Sequence, residues 1–574
     1  MKNRYKLLLI VTTGILFSAC NFLEPEALSL TSATNVFSNN SNITMLRNNM
    51  FTFLPDGYAN IGNSWLASAT DEAEDVNETE TIQNLNTGNW NMYSNPDNVW
   101  SKNYQGIRKT NDFLLGTDTI TWAEYKVNDP VNYAARMQKL KYWRSEAKFL
   151  QAFFYFELVK RYGGVPIVDH KLDIIKDYDY MVTAKRDSFS KCINYIVTLC
   201  DSAAKYLPVK QADVANTDWG VPTRGAAQAL KARALLYAAS DLFNQIGNTN
   251  AAIGYTDDKR TERWVKAAVA NKAVLNLMAS VPYSFQSTYS ALFLLKTVRS
   301  NEVIWERRYP ASNTFETLNF PVGYQSGKTG TCPSQNLVDA YEMTNGTTFD
   351  WANPVHAANP YANRDPRLLQ TVIVNNSIWK TTNVQLWQGG INGKPIYHAS
   401  KTGYYLKKYV DESLNLTTGL TSAKQWIYFR LAESYLNYAE AMNEAFGPNV
   451  TDTLKITAIQ AINSVRTRAG IALTALPTTL TKDDLRLKIR RERRVELAFE
   501  DHRYWDVRRW KIAESTLGST IQGVNITKEL SGSFTYVPFN LEKRVFDPKM
   551  YLYPIPQSEI VKGNGNMVQN PGWN

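Results

Sequence analysis

Apolar residues recur along this chain at helical spacing. The greasiest stretch runs from Phe149 to Val159, with nine apolar residues of eleven, bounded by Lys148 and Lys160 and interrupted by Glu157. A bilayer span needs about 20 apolar residues, so this run reads as a buried core helix. Ala226 to Phe243 is rich in Ala and Leu, and Trp264 to Met278 carries small residues at Ala267, Ala268, Ala270 and Ala273. Small residues let paired helices approach closely, as in tetratricopeptide-type repeats. Leu431, Tyr435, Tyr438 and Met442 form a further core-facing stripe, and Ala458 to Arg468 and Leu485 to Phe499 add two more helices. No strict 34-residue period is visible, so the repeat reading rests on helix pairing. Between the helices lie polar segments rich in Asn, Gly, Thr and Pro: 309–333, 345–366 and 375–403. Their aromatic residues argue against disorder, and loops of this length in a compact fold are usually functional.

The first residues show a different pattern. Lys2, Arg4 and Lys6 precede an apolar run from Leu7 to Phe17, then small Ser18 and Ala19, then Cys20. This is the layout of an export signal, 1–19, whose cleavage site ends in cysteine. It resembles a bacterial lipobox, with Phe17 where Leu is more usual, and predicts that Cys20 becomes a lipidated N-terminus. Several acyl chains on one residue hold a protein stably at a membrane.

Composition and charge narrow the remainder. The chain is 44% hydrophobic and 20% charged, as a large globular protein is. The net charge of +10 falls to +7 once the three basic residues of the signal leave. Nothing resembles a nucleic-acid module, and an exported protein has no use for one, so no nucleic-acid partner is expected. The basic residues between Arg486 and Lys511 alternate with acids and read mostly as a solvated, ion-paired helix face. Cys192 and Cys200 sit eight residues apart on one predicted helix, about 12 Å, beyond the roughly 7 Å limit for a disulfide. With Cys332 they read as buried or free thiols.

A catalytic constellation is hard to find. The four histidines form no H-E-x-x-H, and no G-x-S-x-G occurs. Gly323 to Thr329 resembles a phosphate loop but is one residue short between its glycines. The acidic run Asp71, Glu72, Glu74, Asp75 could supply paired carboxylates or a calcium site, but reads more simply as a solvated loop or helix start. No metal or cofactor is implied.

The C-terminal third carries a recognisable signature. RRERRVELAFEDHRYWDVRRW at 490–510 and YLYPIPQSEIVKGNGNMVQNPGW at 551–573 closely resemble the SusD/RagB family of outer-membrane nutrient-binding lipoproteins. In order along the chain, WSKNYQGIRKTN at 100–111, RSEAKFLQAFFYFELVKRYGGVPIVD at 144–169, RDPRL at 364–368, FRLAESYLNYAEAMNE at 429–444 and INSVRTRAGI at 462–471 agree with it. Physically these fragments build scaffold. Glu492, Glu496 and Glu500 repeat every fourth residue, and Arg493 to Glu496 is an i, i+3 pair. Gly163 and Gly164 stop the greasy helix.

The resemblance implies a mainly α fold, in which tetratricopeptide-type helix pairs support an irregular, loop-rich region with little β structure. It divides the chain at 20–300 and 301–574, expected to form one compact unit. It implies a non-catalytic protein, lipid-anchored at the bacterial outer membrane and surface-exposed. Such a protein binds oligosaccharides and caps a SusC-like TonB-dependent transporter barrel. A peptide-binding relative and an exported glycoside hydrolase are the alternatives. Family binding loops vary, so candidate ligand residues come from chemistry. Flat aromatic rings match the C–H face of a sugar, and polar side chains match its rim. Trp90 and Tyr93 in GNWNMYSNPDN, Tyr309 and Tyr324 after NEVIWERR, and Trp387 beside Gly389 and Gly390 are the aromatic candidates; Asp71 is a polar one.

Overall fold

The computed structural model describes residue 37 and residues 40–210, 219–281, 283–296, 299–451 and 454–573. Cys20 and the export signal lie outside the described residues. The fold is mainly α, about 43% helix against 11% strand, as expected. The long helices are α1 (Asn40–Phe51), α2 (Trp100–Gly116), α3 (Pro130–Tyr162), α4 (Phe189–Ala204), α5 (Arg224–Ala239), α6 (Arg260–Ser280), α7 (Leu431–Phe446), α8 (Ala458–Arg466), α9 (Lys482–Glu496) and the short α10 (Arg503–Arg509). Each packs on the next in a row: α2 on α3, α3 on α4, then α4, α5, α6, α7 and α8, with α9 also against α7. Residues 281–430 interrupt this row between α6 and α7, which is why no regular period shows in the sequence. Among the described residues no helix is long and apolar enough to cross a membrane.

The greasy run is the inner end of α3. Asp129 caps that helix by accepting a hydrogen bond from the Asn132 amide at 3.2 Å, and Pro130 takes the first helical position. Every residue from Phe149 to Val159 is buried. The helix stops at Gly163, whose φ of 80° suits glycine, and a Cβ on Gly164 would lie 2.0 Å from the Asp187 carbonyl oxygen. Small side chains allow the close pairing of α5 and α6: Ala226, Ala227, Ala267, Ala268 and Ala270 are buried, although Ala273 faces solvent. Trp305 closes the core from the far side, stacked on Tyr428 at 4.4 Å and edge-on to Phe149 at 4.8 Å.

The strands are few and antiparallel. Strand β1 (Ala73–Asp75) pairs with β3 (Thr331–Pro333), and β2 (Val303–Ser312) pairs with β8 (Ser422–Arg430). Short β4 (Val372–Ile373) pairs with β7 (Tyr405–Leu406), and β5 (Ile378–Trp379) with β6 (Thr382–Asn383). A longer hairpin joins β9 (Thr520–Lys528) to β10 (Phe534–Lys543). Two sequence readings change here. Tyr309 lies on a strand, not in a loop. The acidic run is neither solvated nor helical: Asp71, Glu72, Glu74 and Asp75 are all buried.

The basic segment is ion-paired as expected but less solvated: Arg493, Arg508 and Arg509 are buried and its other basic residues half-buried. Glu496 accepts from Arg430 at 2.6 Å, Arg367 at 2.8 Å and Arg468 at 2.9 Å. Arg367 also reaches Glu492 at 2.6 Å and Asp365 at 2.7 Å, and Arg466 bridges Glu492 and Glu342. Arg430 and Lys408 share Glu500, each at 2.7 Å. The predicted Arg493–Glu496 pair does not form; Arg493 turns instead to Asp506 at 2.9 Å. A buried charge survives only with partners, and Arg367, Arg430 and Glu496 each have three. Arg430, Arg367, Arg466 and Glu496 come from four of the sequence fragments that carry the family resemblance. A fifth fragment contributes Arg161, which pairs with Asp97 at 2.8 Å, and a sixth contributes Tyr553, whose hydroxyl donates to the same carboxylate at 3.0 Å. All three cysteines in the described region are buried and free, and burial pushes the Cys192 thiol up to about 12.

Candidate functional site

The loop-rich face is assembled around one buried amide. Asn392 is fully buried. Its side-chain nitrogen donates to the Val322 carbonyl at 2.7 Å, and its side-chain oxygen accepts from the Gln385 amide at 2.9 Å. It therefore ties loop 320–330 to loop 385–394. Gly323, at φ 89°, passes close beneath it; a Cβ there would lie 2.7 Å from the Asn392 nitrogen. Tyr324, half-buried, stands over this junction with its hydroxyl 2.8 Å from the Thr382 hydroxyl.

Loop 385–394 then projects Trp387. The Gly390 amide donates to the Trp387 carbonyl at 2.9 Å, and the Gly389 amide to the Lys394 carbonyl at 2.8 Å. The Gln388 amide donates to the Ile526 carbonyl at 2.9 Å, which docks the loop on β9. Half-buried Trp387 packs against Phe534 of β10 with ring centres 5.3 Å apart, and the Lys528 ammonium lies 4.8 Å over its ring. Phe534 adjoins Tyr536 at 6.4 Å, and Tyr536 adjoins Tyr361 at 5.4 Å. Trp387, Phe534, Tyr536 and Tyr361 form a continuous row of partly exposed rings. Beside it opens a cavity of about 120 Å³ lined by Gln388, Asn392, Lys394, Ser400 and Asn525. Rings flanked by neutral amides, a hydroxyl and two ammonium groups can stack on a flat ligand and hydrogen-bond its edge.

The structure distributes the sequence candidates unequally. Tyr324 and Trp387 stand on the two loops that Asn392 joins. Tyr93 is 74% exposed on a turn whose neighbour Met92 accepts from the Gln557 amide. Trp90 is not a loop platform: it is buried between Tyr553 at 5.2 Å and Trp573 at 4.7 Å, pinning the C-terminal tail. Asp71 is not a rim group either. Arg503 holds its carboxylate with two hydrogen bonds, at 2.9 and 2.8 Å, and Arg494 lies 3.0 Å away. Burial opposes ionisation there, but the two guanidinium groups outweigh it and keep the carboxyl well below the usual range. Tyr309 belongs to another cluster, edge-on to Tyr58 at 5.5 Å with its hydroxyl 3.3 Å from Asp56. A larger groove of about 330 Å³ opens near that strand, lined by Phe51, Trp219, Arg307 and Arg308. Trp219 is covered there by the Arg308 guanidinium at 4.0 Å.

Phe534 and Tyr536 were absent from the sequence candidates. The alternation in SFTYVPF after Gly532 was the available signal, since it marks one face of a hairpin strand. The acidic run is buried, and among the described residues no group of three or more His, Cys, Asp or Glu side chains is placed to hold a metal ion.

Comparison with known proteins agrees with this architecture. Residues 301–573 match the SusD family model, and residues 22–236 match a model described as starch-binding, associating with the outer membrane. SusD-like protein P2 of Formosa agariphila is 23% identical over 489 residues, covering 83% of this chain and 80% of its own. A SusD-like protein from Bacteroides fragilis superposes with a TM-score of 0.75 at 25% identity, covering 94% of this chain and 98% of that one. A second B. fragilis structure, a SusD-like carbohydrate-binding protein, superposes at 0.74 with 24% identity, covering 92% and 99%. The interlocked signature fragments, the interrupted row of helix pairs and these matches agree: the chain belongs to the SusD/RagB family.

Proposed function

We propose that this protein binds oligosaccharides at the cell surface and passes them, uncleaved, to a SusC-like TonB-dependent barrel in the outer membrane. The observation that carries the binding reading is the row of partly exposed rings from Trp387 to Tyr361 beside a small polar cavity. Family membership supports the handover and the outer-membrane address. The signal geometry supports a lipid anchor at Cys20. Trp387, Tyr324 and Tyr536 are the proposed ligand contacts, with Tyr93 at the periphery.

Calorimetry on the mature protein with an oligosaccharide panel tests the reading. Trp387→Ala is expected to weaken binding about tenfold or more without loss of fold, because stacked rings contribute about 0.5–1.5 kcal/mol beyond their buried area. Trp90→Ala is expected to destabilise the fold by about 3–5 kcal/mol and leave the affinity of the folded fraction unchanged. Reversal of those two outcomes would move the site to the Trp90 region. New reducing ends produced by repurified protein would replace the binding reading with a hydrolase. Cys20→Ala is expected to release the protein from membranes. Affinity purification of the native lipoprotein should recover a TonB-dependent receptor; recovering it alone where a known pair survives counts against the handover.

A further inference from the structure

Charge is unevenly distributed around the Trp387 face. Between Asp365 and Asp411 the chain carries six basic residues and no acidic one, and between Glu316 and Asp339 it carries Lys328 and no acid. Most of the six are occupied. Arg367 and Lys408 belong to the buried ion pairs around Glu496 and Glu500. Lys380 donates to the carbonyls of Glu412 and Leu414, both at 2.6 Å. Lys401 lies 3.5 Å from each of Glu74 and Glu78.

Two ammonium groups on this face have no carboxylate partner among the described residues. Lys394 lines it and is exposed, with its ammonium 3.1 Å from the Lys401 carbonyl and 4.9 Å over the Phe539 ring. Lys528, exposed at the end of β9, lies over Trp387. Neither is ion-paired among the described residues. The nearby hairpin carboxylates are engaged elsewhere: Glu529 accepts from the Thr535 hydroxyl at 2.7 Å, and Glu542 pairs with Arg544 at 2.6 Å. Desolvation, with a smaller contribution from the like charge of Lys401, pulls Lys394 below the ordinary lysine range, a cost that a bound anion would relieve. Each ammonium group lies over an aromatic ring, so an anion held by either is brought beside a ring.

Building on the oligosaccharide reading above, we propose that this face selects an acidic oligosaccharide, its carboxylates or sulfates met by Lys528 beside Trp387 and by Lys394 farther along the hairpin, with a sugar ring stacked on Trp387. Carboxylate and sulfate share the chemistry that an ammonium group recognises, and the test separates them.

Calorimetry on the mature protein would use oligogalacturonate as the carboxylate probe and carrageenan oligosaccharides as the sulfate probe. Maltoheptaose and laminarihexaose serve as neutral probes. At least one acidic probe is expected to bind about tenfold more tightly than either neutral one. That affinity should fall about tenfold or more between about 0.05 M and 0.5 M salt, because exposed charges are screened over that range. The double variant Lys394→Gln/Lys528→Gln should lose the preference while keeping the wild-type unfolding midpoint; both side chains are exposed, so misfolding is not the expected cause. Three results overturn the inference: no acidic probe binds, neutral probes bind as tightly, or the double variant binds the acidic probe like wild type. If neutral probes alone bind, the oligosaccharide reading stands without it. If no probe binds, both fall.

Discussion

Two buried polar centres organise this molecule, and they are built from opposite materials. Around Glu496 the interior is held by full charges: three arginines converge on one carboxylate, and Glu492 and Glu500 extend the pairing along the same line. Around Asn392 the loops are held by a neutral amide and backbone groups. The first centre stands where the chain rejoins the helix row after residues 281–430. Arg430 at the start of α7, Arg367 from the interruption and Glu496 at the end of α9 must meet there. A buried ion without its partners is costly, so this centre admits one arrangement. The second centre demands only that two loops offer a carbonyl and an amide at one point, which many loop sequences can do. The contrast explains how one scaffold carries recognisable motifs in its interior and leaves its loop-rich face to other residues.

The largest effect expected from breaking this contrast is at Arg430. Arg430→Met should cost about 3–5 kcal/mol of unfolding free energy, because Glu496, Glu500 and Glu302 lose a shared cation in the interior. Urea unfolding measures it. A loss below about 1 kcal/mol would mean that the ion pairs do not hold the α7 junction.

Asn392→Ala should act more weakly and more locally. Leaving the Gln385 amide and Val322 carbonyl without their partner is expected to cost about 1–3 kcal/mol. Amide exchange should quicken in 320–330 and 385–394 and stay slow in α3 and α7. Uniform quickening across the protein would show that the two centres are not separable.

The smallest effect is on pH dependence, where the two kinds of burial carry opposite signs. Burial pushes Glu440 up, but Arg509 and Arg493 outweigh it and hold that carboxyl at about 2. Its stabilisation is present above the ordinary carboxylate pKa of about 4.3 and is lost as pH falls toward 2. Burial dominates at Glu72 and Glu306, which rise to about 7, and at Asp501, which rises to about 8. For these the folded state holds the extra proton, so stability is full below about pH 4 and is lost as pH rises through 7 to 8. The unfolding midpoint should therefore be highest near pH 5 and lower at both pH 3 and pH 8. One Asp501 carboxylate oxygen is buried without a hydrogen-bond partner, and its backbone sits at φ 59°, a region that asparagine tolerates. Asp501→Asn should flatten the alkaline side; a midpoint that climbs from pH 5 to pH 8 in the wild type would refute the sign.

Local sequence was enough for some of this and not for the rest. The buried run in α3, the glycine stop at 163–164, the Ala-rich helix pair and the isolated cysteines follow from nearest-neighbour chemistry, and the structure has them. The signature fragments identified the family before any contact was known. What the sequence by itself could not determine was where charged and aromatic residues point. Glu496 and Asp71 look like surface charges in a line of residues; only the arrival of arginines from distant segments makes their burial affordable. Trp90 looks like an exposed loop ring until the C-terminal Tyr553 and Trp573 close over it. Phe534 and Tyr536 become part of a candidate surface only when loop 385–394 lays Trp387 beside them. Helix and strand formation depend on residues a few positions apart, whereas burial of a charge or exposure of a ring depends on partners hundreds of positions away, which only the tertiary structure brings together.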